Sequence, residues 1–277
     1  MVSDRAYLDA YLRNQVVLDR DLRRVMRATI KSLQKEITRL AAVHGRGAAL
    51  RLTQLTLTRD IMQSWVAMGD VIETHIAASS DDIAKVQAAF DKVLLDQAGV
   101  GITQDFARSL QQTARAGLDS YISRAHHGMT LSDRVYRNGR ASVRTVNNLI
   151  DQGILAGRSA REIALSVRRY ISPTTPGGMS YAAMRLGRTE LNNAFHETSK
   201  RMAVEDPFVN GIEWHLSGSH PKQDVCNSLV KKYDPERVPA KPHPQCLCYT
   251  TPVTISEAQF LRNLKRGQYD DMALLVA

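Results

Sequence analysis

The side chains best suited to chemistry gather near the C-terminal end. His220, Asp224 and Cys226 fall in one short stretch, and His243, Cys246 and Cys248 begin seventeen residues beyond Cys226. Thiolate and imidazole are donors that zinc selects, and two short ligand groups separated by a loop of about this length are how small knuckles staple a domain. In a strand, Cys246 and Cys248 would point the same way, at one ion, with His243 reaching it from the preceding turn. These six residues are the candidate metal ligands, with zinc as the candidate cofactor. The competing reading of the same residues is buried cysteines and capping histidines in a proline-rich turn region.

Other constellations carry less. Arg188 and Glu190 are two residues apart on a helical pattern, so they serve different partners; the ordinary role for Arg188 is to clamp a carboxylate or backbone carbonyls of the C-terminal module. His126 and His127 precede Gly128 and read as an exposed turn. There is no nucleophile elbow, P-loop, GxGxxG or HExxH, and no pair of carboxylates stands apart from helix surface, so no catalytic residue is assigned and the chain reads as a non-enzyme.

The elements that must position these residues are mostly helical. Leu22, Met26, Ile30, Leu33, Ile37 and Leu40 recur at steps of three and four, with no glycine or proline before Gly45, which predicts one helix from Asp4 to Val43. Arg20, Arg24, Arg27, Lys31 and Lys35 form a basic stripe on another face of it. Periodicity predicts further helices over Leu50–Ala77, Asp81–Asp96, Thr103–Ser123, Ala141–Gln152, Ser159–Tyr170 and Tyr181–Val204, with N-caps at Ser80 or Asp81 and at Thr103. Ser159 and Glu162 form a capping-box pattern. Residues 172–178, with two prolines and two glycines, mark a joint. Residues 207–253 then hold seven of the nine prolines, all three cysteines and strand-like runs at Phe208–Leu216 and Leu247–Val253; a last short helix is expected at Glu257–Lys265. The fold class is mainly α: a long helical N-terminal region over 1–171, then a small α+β module over 180–277 with a β-hairpin and a candidate Cys/His zinc knuckle.

The chain has 277 residues, 43% hydrophobic and 23% charged, enough to build a core without staples, and it has no apolar run of membrane-spanning length. The N-terminus lacks an apolar signal region, and an odd cysteine count confined to residues 226–248 suits a reducing compartment, so synthesis in a cytoplasm is expected. The net charge is +9. It is banded: residues 20–51 carry nine basic against two acidic groups, 60–100 two against seven, and 101–170 eleven against five. Such banding fits contact with a polyanion or an acidic protein surface, and the stripe of Arg20, Arg24, Arg27, Lys31 and Lys35 is the candidate contact.

Four blocks, Gly157-Arg158-Ser159-Ala160-Arg161-Glu162-Ile163-Ala164, Gly187-Arg188-Thr189-Glu190-Leu191-Asn192-Asn193-Ala194, Trp214 with Asp224-Val225-Cys226-Asn227-Ser228-Leu229, and Pro242-His243-Pro244-Gln245-Cys246-Leu247-Cys248, follow one another in this order. In that order and spacing the stretch from Gly157 to Val253 resembles the head morphogenesis domain of the Mu F-like minor head proteins of phages. Many members carry a C-x-x-C pair where this chain has Gln223 and Cys226, so His220 or Asp224 stands in for the missing cysteine. The resemblance implies structural roles for Arg188, Glu190 and Trp214. It also implies a minor capsid protein, made in the host cytoplasm and located in the virion head or at the portal vertex. Its partners would be the portal protein, capsid or scaffolding proteins and, non-specifically, double-stranded DNA, with no membrane. The alternative from another class is a zinc-dependent nuclease or other hydrolase, in which Asp224 lies beside an ion with an open position.

Overall fold

The computed structural model describes residues 3–42, 47–125, 128–218, 220, 223–270, 272 and 274–276. The fold is mainly α, built from α1 (Ser3–Ala42), α2 (Gly47–Ala78), α3 (Ser80–Gln97), α4 (Gln104–Ser123), α5 (Leu131–Leu155), α6 (Ala160–Ile171), α7 (Met179–Glu205) and α8 (Glu257–Lys265). Strands β1 (Val100–Ile102) and β5 (Leu274–Val276) pair antiparallel; β2 (Val209–His215), β3 (Lys232–Tyr233) and β4 (Tyr249–Thr254) form an antiparallel sheet in the order β3-β2-β4. Val43, His126 and His127 lie outside the described residues.

Local chemistry accounts for most boundaries. The Ser159 hydroxyl accepts from the Glu162 amide while the Glu162 carboxylate accepts from the Ser159 amide, closing the capping box of α6. Thr103 caps α4 by accepting from the Phe106 amide at 3.1 Å. Two expectations are corrected. The residue before α3 is Ser79, whose hydroxyl donates to the Ile76 carbonyl at 2.6 Å and so caps nothing ahead of it. Helix α5 starts ten residues before Ala141, because Thr130 and Asp133 form a second capping box.

Contacts group the chain into two units, one comprising Met1–Gln15, His75–Ser123 and Thr189–Ala277, the other Val16–Thr74 and Arg124–Arg188. This differs from a division at 171/180. The Pro/Gly joint only turns α6 into α7 inside the second unit, whereas α1, α2 and α7 each supply residues to both units.

In the second unit the α1 seam of Leu18, Leu22, Leu33 and Leu40 is fully buried together with Leu57, Ile61, Trp65 and Ile72. The Trp65 indole donates to Ser142 Oγ at 3.0 Å, and Arg188 grips Asp19 of α1 with both Nε, at 3.0 Å, and Nη2. Gly187 permits close packing there: a Cβ at that position would lie 2.7 Å from Leu22 Cδ1. The carboxylate that Arg188 clamps is thus on α1, where the sequence pointed to the C-terminal module.

In the first unit Tyr11 meets Phe195 edge-on at 5.9 Å, and Phe208 at the start of β2 packs against Phe106, Phe260 and Tyr269 at 5.3–5.8 Å. These aromatics anchor the sheet. Glu190, 2% exposed, accepts from the Tyr121 hydroxyl of α4 at 3.0 Å. Gln87 bridges the buried carboxylates of Asp91 (3.3 Å) and Asp206 (2.6 Å); burial raises the pKa of both, Asp91 well above the ordinary carboxylate value. On α7, Glu197 pairs with Lys200 and Arg201 with Glu205, so Arg201 takes the following rather than the preceding carboxylate.

Candidate metal centre

The knuckle is built where the loops of the C-terminal module return to α7. After β2 the chain reaches His220 and then a 3-10 turn, Val225–Leu229, entered through Asp224. The Asp224 carboxylate accepts from the Cys226 amide at 2.6 Å and Asn227 accepts from the Asp224 amide at 2.9 Å, a reciprocal cap that aims Cys226 inward. A second turn at residues 243–245 then delivers Cys246 and Cys248. Gln245 there has φ 57°, the left-handed region, which reverses the chain sharply enough to place His243 and Cys246 on the same centre.

Cys246 and Cys248 precede β4 rather than lying in it, which corrects the strand placement; what brings them together is the support of α7. Asn192 donates to the Cys246 carbonyl, and the Gln245 amide donates to Thr189 Oγ1 at 3.1 Å. Lys241 donates to the Cys248 carbonyl and lies 5.0 Å over the ring of Trp214. Trp214 is fully buried and meets the His196 ring at 5.4 Å; His196 in turn contacts the Pro239 carbonyl at 2.9 Å. Trp214, Ile212, Ala203 and Val238 form a small core with the three cysteines.

Within this frame Cys226 Sγ lies 3.5 Å from Cys246 Sγ and 3.3 Å from His243 Nε2, and Cys248 Sγ lies 3.5 Å from His220 Nδ1. Two triads, His220/Cys226/Cys248 and Cys226/His243/Cys246, each hold their donor atoms within 4.8 Å of one another and share Cys226. Tetrahedral zinc with ordinary bond lengths of ~2.3 Å to sulfur and ~2.05 Å to nitrogen requires edges of about 3.8 Å (S to S) and about 3.6 Å (S to N). These three separations fall within a few tenths of an ångström of those edges. The three thiols are free.

The electrostatics follow from this crowding. Burial and then the thiols of Cys246 and Cys248 push the Cys226 thiol far above its ordinary range; burial also raises Cys246, with Lys241 opposing. Burial pushes Lys241 down to about 8, and the three cysteines pull it back up. Cys226 and Cys246 therefore stay protonated unless a cation joins them, and a cation is what such a cluster accommodates. His196 is held well below its ordinary value by burial and then by Lys241, and is neutral.

Five of the six sequence candidates converge. Asp224 stands beside them: desolvation raises its carboxyl, but the Cys226 amide and the histidines bring it below the ordinary value, and its oxygens face His220 Nε2 at 3.4 Å and His243 Nε2 at 3.2 Å. It belongs to neither triad. The two histidines differ, since the side chain of His220 is 9% exposed and that of His243 37%. Each has its second nitrogen held, His220 by Asn227 Oδ1 at 3.0 Å and His243 by the Pro244 carbonyl at 3.1 Å, the arrangement that fixes the ring of a metal-bound histidine. Thr189, Asn192 and Lys241 were not singled out from sequence. The one signal was Asn192-Asn193 inside a helix, where asparagine is a poor fit unless its amide has a buried task.

The basic stripe of Arg20, Arg24, Arg27, Lys31 and Lys35 lies on the exposed side of α1. Asp21 engages Arg20 at 3.2 Å and Arg24 at 3.5 Å, while Arg27 donates to the Arg23 carbonyl. No helix among the described residues is long and apolar enough to cross a membrane. No family model matches the chain, and no curated protein and no solved structure matches it.

Proposed function

We propose that this chain is a minor head protein of a tailed bacteriophage, of the Mu F-like head morphogenesis kind, made in the host cytoplasm and carried in the virion. In this reading it joins the prohead at the portal vertex, meets portal, capsid or scaffolding proteins, and touches packaged double-stranded DNA without reading its sequence. Its C-terminal module is stapled by zinc.

One observation carries the reading. Three of the four sequence blocks on which the resemblance rests are distant in the chain yet meet at one place: Thr189 and Asn192 hold Gln245 and Cys246, and Cys226 faces His243 and Cys246. Motif residues that build a common centre support a shared module more strongly than motif residues scattered over a surface. Thiolate and imidazole are the donors that zinc selects, and the two triads that share Cys226 offer both, at separations near those of tetrahedral zinc where they are closest. Affinity-purified from cells producing the phage, the chain should bring the portal protein with it. Recovery free of every head protein would refute the proposal.

A second reading, a zinc-dependent nuclease or other hydrolase, draws on the exposed side chain of His243 beside Asp224 at the solvent edge. It requires metal-dependent cleavage of DNA, RNA or peptide that Asp224→Ala abolishes, with the ion held by one triad and its fourth position open.

A further inference from the structure

The basic character of the chain is a property of one unit. The second unit, residues 16–74 and 124–188, carries 21 basic against 9 acidic side chains, net +12, whereas the remainder of the chain is net −3. The excess is concentrated in residues 124–188, which hold eleven arginines, no lysine and three carboxylates.

Within that segment the charges are arranged in rows. On α5, Arg137, Arg140 and Arg144 are exposed and lie within about 60° of one another at 100° per residue. On α6, Arg161 and Arg168 are exposed within about 20°, with exposed Arg158 and Arg169 to one side. Two of the three carboxylates, Asp133 and Glu162, are committed to the capping boxes that start the two helices. Among the described residues, Arg137, Arg144, Arg161, Arg168 and Arg169 have no carboxylate within ion-pair distance. The α1 stripe contrasts with this, since Arg20 and Arg24 already face Asp21.

We infer that the α5–α6 helix pair is a phosphate-binding surface, and that its partner is the backbone of double-stranded DNA. The positive charge that most needs an external anion lies here. Guanidinium groups match phosphate in fork geometry and stay charged at any working pH, and seven residues of helix set arginines ~10 Å apart, within the span of a few phosphates. Exposed Leu155 and Leu165 sit beside the arginines and would serve an acidic protein partner instead; DNA backbone has no use for them. The inference rests on the DNA contact proposed above and assigns it to a surface other than α1.

The test uses the full chain and a 30-base-pair duplex of arbitrary sequence, followed by fluorescence anisotropy between 50 and 200 mM salt. With about four phosphates neutralised, log affinity falls against log salt with a slope of about −3.6, a loss of roughly 150-fold over this range. Gln replacing Arg137, Arg144, Arg161 and Arg168 should flatten the slope and weaken binding at 50 mM at least tenfold for every sequence. Gln at Arg24, Arg27 and Lys31, or Ser at Leu155 and Leu165, should change neither. Should the quadruple variant fail to fold by circular dichroism, the two double variants R137Q/R144Q and R161Q/R168Q should each remove about half the slope. Parent-like binding by the α5–α6 variants, loss in the leucine variant, or a parent with no salt-dependent duplex binding would each overturn the inference. Portal co-purification measured on the same variants separates that failure from failure of the head-protein reading.

Discussion

Zinc uptake should release three protons. Cysteine thiols ordinarily titrate near ~8.5, so at pH 7.5 they are largely protonated, and burial drives Cys226 and Cys246 higher still. A zinc ion binds thiolate, so loading Cys226, Cys246 and Cys248 expels one proton from each, while a neutral imidazole contributes none. The apparent affinity should then rise about 1000-fold per pH unit near neutrality. Cys226→Ser removes the donor shared by both triads and should reduce the release to two protons, with a large loss of affinity. Titrating zinc into chelator-stripped protein in weak buffer with a pH indicator reads the proton count directly. At free zinc 100 times its dissociation constant, mass action adds about 2.7 kcal/mol, which for a unit of this size raises its melting temperature by roughly 5–10 °C. Uptake without saturation, or one proton or fewer per zinc, would show that the cysteines are ordinary core residues and that the metal reasoning fails.

Of the two imidazoles, His220→Ala should cost more zinc affinity than His243→Ala, by about 10-fold, because both rings are held at their second nitrogen but the His220 side chain is the more enclosed, 9% exposed against 37%; competition with a chromophoric chelator decides it, and the reverse order refutes the assignment. For the Asp91/Asp206 pair the folded pKa values are raised, so the stabilising protonated form is fully present below the ordinary carboxylate range and is lost as pH rises through the folded values. Asp91→Asn keeps a donor without the titration. The variant should gain on the parent by ~1.4 kcal/mol for each pH unit crossed in that window, read as the difference in urea midpoints at pH 4.5 and 7; parallel profiles would contradict this. Arg188→Ala leaves Asp19, whose side chain is 19% exposed, without its fork and should lower stability by about 1–3 kcal/mol, whereas a change under ~0.5 kcal/mol would mark the pair as a surface ion pair.

The helices were legible because their cues are local. Steps of three and four predicted α1 almost to the residue, and Ser159-Glu162 announced the start of α6. Glu257–Lys265 was placed correctly for the same reason. What escaped depends on partners far away in sequence. Strand β1 is three residues long and finds β5 only after more than 170 residues, so no alternation could announce it. The Cys/His cluster was readable from residue type, yet that His220 and not Asp224 joins a triad turns on the cap that spends the Asp224 carboxylate on the Cys226 amide. Asn192 and Lys241 act on carbonyls 54 and 7 residues away, contacts to backbone that no spacing motif encodes. The interleaving of the two units is invisible for a related reason: continuous helical periodicity says nothing about which neighbour each stretch of a long helix will bury itself against.

The most direct test of the head-protein account is peptide mass spectrometry on purified procapsids and mature virions of the phage that encodes this chain. The account predicts peptides from residues 16–188 and 189–277 in both particles, at a copy number comparable to that of the portal and far below that of the major capsid protein. Particles in which portal and capsid peptides are abundant and this chain is absent from both would contradict it.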